Sequence, residues 1–120
     1  MFLRIKSEIW VSALLRRARG AGAFATVLHS GAEEAGAIFV VVNRGGLRGS
    51  YDLYAPAPQS LTVDDDTNAY DRRFEQRLEG VDEGAINNAL ASERRFDPDL
   101  WAIEIEDRDG HAFIDVISEF

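Results

Sequence analysis

Six consecutive apolar residues, Ala37-Ile38-Phe39-Val40-Val41-Val42, constrain this chain more than any other feature. A β-strand turns successive side chains to opposite faces. A strand without polar residues therefore needs apolar cover on both faces, and this run is too short to cross a bilayer. It calls for a central strand with packing above and below. The 120 residues are enough for one domain whose core needs no staples. Cysteine is absent, which excludes disulfides, thiolate nucleophiles and Cys-ligated metals.

Cover comes from two amphipathic stretches. Ser7 is expected to cap a first helix ending near Arg19, with Trp10, Leu14 and Ala18 at i, i+4 spacing and Val11 and Leu15 beside them. Ser12, Arg16 and Arg19 fall on its opposite face, and Gly20 and Gly22 stop it. Asp82 is expected to cap a second helix ending near Arg95, with Ile86, Ala89 and Leu90 inward and Pro98 blocking continuation. Strands are expected at residues 23–29, 37–42, 50–55, 72–79, 100–106 and 111–117. Asn43-Arg44-Gly45-Gly46 reads as a turn and residues 56–71 as a long irregular loop. In residues 72–79, Phe74, Gln76 and Leu78 alternate with Arg73, Glu75, Arg77 and Glu79, the pattern of a half-buried strand. The expected architecture is a single α+β domain. Its antiparallel sheet of five or six strands carries two helices, in the order α-β-β-β-(β)-α-β-β.

Asp109-Gly110 between the last two strand-like runs is a hairpin signal. A two-residue turn there pairs Ile105 with Ile114 and Ile103 with Val116, and sets Glu104 opposite Asp115 with Glu106 diagonal to it. Like charges directly opposed are destabilising. The pairing therefore asks for an arginine, a cation, solvent or a basic partner, and marks Glu104, Glu106 and Asp115 as candidate binding residues. A second acidic group starts at Asp64. Asp64, Asp66, Asn68 and Glu75 fall at positions 1, 3, 5 and 12 of a degenerate calcium loop, with Ala69 where the turn needs glycine. These four are the candidate metal ligands; a solvated acidic loop is the competing reading.

The net charge of −8 argues against binding nucleic acid with the whole surface. Residues 1–50 carry seven basic and three acidic side chains, and residues 51–120 six and eighteen. Such asymmetry either neutralises itself within the fold or marks an interaction surface. Arg16 and Arg19, with Arg17, Arg44 and Arg48, are the candidates for a phosphate or an acidic partner. His29 and His111 have no metal-ligand spacing, and Gly45-Gly46-Leu47-Arg48-Gly49-Ser50 lacks the lysine and spacing of a P-loop. The start, Met1-Phe2-Leu3-Arg4-Ile5-Lys6, reads as no signal peptide. A cytoplasmic location follows as an expectation.

Three stretches are distinctive together: Leu3-Arg4-Ile5-Lys6-Ser7-Glu8-Ile9-Trp10-Val11, Tyr54-Ala55-Pro56-Ala57-Pro58-Gln59-Ser60 and Arg95-Phe96-Asp97-Pro98-Asp99-Leu100-Trp101. With the Gly20-Ala21-Gly22-Ala23-Phe24 junction they resemble a bacterial, largely alphaproteobacterial family catalogued as domain of unknown function 1491. The resemblance covers nearly the whole chain, implies a single domain in a bacterial cytoplasm, and carries over no site residues. The element order is also similar to that of small acidic secretion chaperones, which dimerise; this chain departs from them in lacking a final helix.

The function expected from these readings is a non-enzymatic protein-interaction module. It needs no cofactor and no membrane, and presents an acidic surface to a protein partner or to a second copy. One alternative is a ligand-binding or enzymatic domain using residues 56–71 over a pocket, with Asp64, Asp66 or Arg72 as polar groups. Another is a nucleic-acid or nucleotide patch built from the N-terminal arginines.

Overall fold

The structure, a computed structural model, describes residues 5–45, 50–58 and 72–117. The elements are α1 (Ser7–Gly20), β1 (Phe24–His29), β2 (Ile38–Asn43), β3 (Tyr51–Pro56), β4 (Arg73–Val81), α2 (Glu83–Phe96), β5 (Trp101–Glu106) and β6 (Asp115–Val116). The six strands form one mixed sheet in the order β1-β5-β2-β3-β4-β6. Pairing is antiparallel for β1–β5, β2–β3 and β3–β4, and parallel for β5–β2 and β4–β6. The α+β class holds, and the expected all-antiparallel sheet becomes a mixed one.

The apolar run is the central strand it was expected to be: Ile38 to Val42 are all buried. On one face Ile38, Val40 and Val42 join Ile103, Ile105 and Trp101 of β5, Ala25 of β1, and Val11, Leu14 and Ala18 of α1. On the other, Phe39 and Val41 join Leu53, Ala55 and Ala102 beneath Ile86 and Leu90 of α2. Each helix supplies one layer of cover. Trp10 packs half-buried against Phe74, their ring centroids 5.5 Å apart.

The expected terminal hairpin does not form. Strand β5 is bonded on one side by β1 and on the other by β2, so neither edge is free for residues 111–117. Asp109-Gly110 still makes a turn, with the Gly110 N–H donating to the Asp107 carbonyl at 3.0 Å. The chain then packs Ala112, Phe113 and Ile114 against the α1-side core and adds β6 beside β4 at the far edge. Phe113 takes a left-handed φ of 61°. Its carbonyl accepts Arg17 Nη2 and Nε at 2.7 and 3.3 Å, and the Arg17 guanidinium lies 6.0 Å from the Trp10 ring centroid.

Two smaller expectations change as well. Ser7 does not cap α1; Lys6 occupies that position, without a side-chain cap bond. The first helical N–H groups of Ser7 and Glu8 instead donate to the carbonyls of Glu34 and Glu33. Ser7, fully buried, donates its hydroxyl to the Gly36 carbonyl at 2.7 Å and accepts Arg72 Nη2 at 3.3 Å. In β4, Phe74 and Leu78 lie on opposite faces. The β3–β4 register steps from Tyr54↔Gln76 to Leu53↔Leu78, and the extra residue turns Leu78 onto the α2 side. Asp82 caps α2 as expected, its Oδ1 accepting Ala85 N–H at 2.9 Å. No helix of the described residues is long and apolar enough to cross a membrane.

Candidate interaction face

Among the described residues, β1 and the second half of β5 are covered on only one face; Ala102, nearer the start of β5, is buried on the α2 side as well. Toward α1, Ala23, Ala25, Ile103 and Ile105 are buried. These alanines, with Ala18 of α1, let the last turn of the helix lie close against β1. Toward the α2 side, Phe24 pairs with Glu106 and Thr26 with Glu104. Directly paired residues share a face, so Phe24, Thr26, Glu104 and Glu106 stand together there. Among the described residues no helix lies over them, because Ile86 and Leu90 of α2 pack on β2 and β3. Phe24 is 74% exposed. These four residues, with Arg19, Gly22, Ala23 and Ala25, line an open cleft of about 520 Å³.

A polar group marks the border between this bare area and the α2 footprint. Asn43 Nδ2 donates to Glu104 Oε2 at 3.2 Å and to Tyr51 Oη at 3.3 Å. Burial, followed by the carboxylates of Glu83, Glu104 and Glu106, holds the Tyr51 phenol above its ordinary value of 10.0. Three carboxylates thus act on this phenol in the same sense.

The outer edge of β1 is treated differently. Arg19 reaches over from α1 and donates to the Ala25 carbonyl through Nη2 at 2.8 Å and Nε at 3.2 Å. The β1–β5 register also slips between Val27 and His29, leaving Leu28 46% exposed at the irregularity. A strand edge is a template for pairing, and natural proteins blunt it with charged groups and bulges; β1 has both.

The residues picked out from sequence are dispersed. Glu104 and Glu106 lie on the bare face. Asp115, expected opposite Glu104, sits on β6 at the far edge of the sheet and meets Arg73 Nε at 3.5 Å. Arg16 is exposed on α1, whereas Arg19 is engaged with β1. Asp64, Asp66, Asn68 and Arg48 lie outside the described residues. Glu75 is on β4, 3.3 Å from Arg77 Nη2. Arg44 meets buried Asp52 at 3.3 Å, and Asp52 also accepts the Gly80 N–H at 2.9 Å. Arg72 Nη2 donates to the Ile5 carbonyl at 3.0 Å.

Asp107, Asp109 and His111 form a titratable group that the sequence reading did not consider as ligands, their side-chain ligand atoms lying within 4.8 Å of one another. Asp107 Oδ2 accepts His111 N–H at 2.8 Å and lies 3.0 Å from His111 Nδ1. The backbone N–H of His111 is the chief cause holding the Asp107 carboxyl below its ordinary value. This arrangement organises the turn after β5.

Comparison with known proteins bears on the whole chain. The model of a family described as "Protein of unknown function (DUF1491)" matches residues 5–115. A solution structure of a protein from Agrobacterium tumefaciens is 47% identical, with a TM-score of 0.80 and 98% of each chain covered. A crystal structure of a DUF1491 family protein from Caulobacter crescentus is 34% identical, with a TM-score of 0.77, covering 95% of this chain and 98% of that one. An NMR structure of a DUF1491 family protein from the same organism is 36% identical with a TM-score of 0.72, covering 95% and 97%. No curated protein matches.

Proposed function

From the premise that the chain belongs to the DUF1491 family of proteins of unknown function, we propose that it is a non-enzymatic protein-interaction module of the bacterial cytoplasm. Its contact surface is the bare face of β1 and β5. One observation carries this reading: Phe24 stands 74% exposed beside Glu106 on a sheet face whose opposite side is fully packed. An exposed ring on a sheet face that no described helix covers, rimmed by polar groups, supports a contact surface; Phe96, 86% exposed at the end of α2, has no such open sheet beneath it. The cleft beside it is open rather than enclosed, which suits a macromolecular partner better than a small substrate.

The arginine reading has less support from geometry. Arg17 and Arg19 direct their guanidinium N–H groups at the Phe113 and Ala25 carbonyls, which leaves fewer donors for phosphate.

The test is affinity capture at low salt from the native host, with the wild type, Phe24→Ser and Asp115→Arg as baits, each checked for folding by circular dichroism. A stoichiometric protein retained by wild type and Asp115→Arg but lost by Phe24→Ser supports the assignment. Retention by all three baits places the contact elsewhere, and co-purified nucleic acid would overturn the reading in favour of the arginines.

A further inference from the structure

Resting on that reading, we infer that the partner element is a cationic amphipathic α-helix, lying on the β1–β5 face beside α2, its apolar stripe on Phe24 and its Lys/Arg side chains on Glu104 and Glu106. Three observations select this occupant.

The first is dimension. Strands are spaced about 4.8 Å apart, so the lane left bare over β1 and the second half of β5, past buried Ala102, is roughly one helix diameter wide, about 10 Å. The same two strands already carry α1 on their other face through Ala25, Ile103 and Ile105. A helix laid on the sheet there would cover the part of the α2 side that α2 leaves bare among the described residues.

The second is charge. Glu104 and Glu106 stand two residues apart on one face of β5, and Glu83 at the start of α2 adds to the field felt by Tyr51. Arg19, the cation lining the cleft, is engaged with the Ala25 carbonyl. The complement of this surface is a row of positive charge flanking apolar residues. A second copy docked face to face about a two-fold axis would set Glu104 and Glu106 against their own counterparts; with a net charge of −8, self-association through this face is disfavoured.

The third is the edge. An extended peptide joining β1 would need the Ala25 carbonyl, which Arg19 occupies, and a straight strand, which the Val27/His29 slip interrupts. Strand addition is blocked where face-on docking is open.

The probe is a synthetic amphipathic peptide of about 16 residues with leucines at i, i+3, i+4 spacing and lysines on the flanks. A Glu-for-Lys version and a version carrying a central proline are run beside it. Binding to the full chain is followed by ¹⁵N chemical-shift mapping and by peptide helicity in circular dichroism. The lysine peptide is expected to gain helicity and shift the amides of Phe24, Thr26, Glu104 and Glu106. Glu104→Gln/Glu106→Gln is expected to weaken it about tenfold or more, and Asp115→Asn to leave it unchanged. Equal loss with Asp115→Asn would mean nonspecific attraction to an acidic protein and overturn the inference. So would binding of the proline peptide with shifts along the outer edge of β1, which would mean strand addition. Self-association by analytical ultracentrifugation that Phe24→Ser abolishes would make the occupant a second copy. A natural partner lost by Phe24→Ser but indifferent to Glu104→Gln/Glu106→Gln would leave the interaction reading standing and reject the cationic helix.

Discussion

Gly36 shows how little room the α1 end of the sheet allows. A Cβ there would press on the Asp99 carbonyl oxygen and come within 2.9 Å of Trp101 Cδ1. Its own carbonyl accepts Ser7, and the Trp101 indole N–H donates to Ala32 at 2.8 Å. Gly36→Ala is expected to cost more than about 3 kcal/mol in urea unfolding, because backbone rather than a movable side chain is in the way. Gly20→Ala, where a Cβ meets nothing within 4 Å, should be neutral or stabilising by up to about 1 kcal/mol. Tyr51 gives a test by pH. Its phenol is raised in the folded state, so the unfolded chain ionises first. The stability it contributes is full below pH 10 and falls as pH rises through the folded value. Tyr51→Phe should flatten the fall of Tm above pH 10; Tyr54, also raised, by burial and then Asp52, retains its own share. An unchanged slope would mean that neither burial nor the carboxylates of Glu83, Glu104 and Glu106 raises this phenol.

At the scale of elements, helix α2 depends on a cap legible in the sequence. Asp82→Ala should lower stability by about 1 kcal/mol, read as a shift in the urea midpoint without a change in slope. Periodicity also revealed both helices, the doubly covered β2 and the inward set Trp101, Ile103 and Ile105, because these patterns are local. Partner choice is not local. Asp109-Gly110 makes a turn whether or not the flanking segments pair, and nothing in residues 100–117 records that β1 and β2 already claim both edges of β5. For the same reason Glu104 lies on the α2-side face of β5 while its expected neighbour Asp115 lies four strands away in sheet order. The face residues Phe24 and Thr26 were harder to find. In residues 23–29 either parity offers apolar side chains, and only the approach of Ala18 selects Ala23 and Ala25 for burial. Leu78 changed face through a one-residue slip that no alternation pattern encodes.

Across the whole molecule, the charge asymmetry is partly absorbed by the fold and partly displayed. Arg44 meets Asp52 across the boundary between the basic and acidic halves, and Arg73 and Arg77 pair with acids of their own half. Glu104 and Glu106, by contrast, come to rest on a β-strand face beside Phe24 with no ion pair among the described contacts. The bare face and its acids thus arise together from one strand pair. Among the strand pairs of the sheet, it also joins the segments farthest apart in sequence.

Because β5 fills the gap between β1 and β2, the sheet of the nascent chain has a slot beside its β1 edge until residue 106 has left the ribosome. Strands β1 and β2 cannot bond to one another across that slot, and α1 has only half a floor to pack on. Non-local pairing of this kind delays folding until late contacts form. Chains released at residue 98 should therefore be digested by protease as unfolded polypeptide, whereas chains released at residue 117 should resist it. The last-made segment of the molecule acts as a keystone: synthesis supplies the arch first, and the protein becomes self-supporting only when β5 slides home.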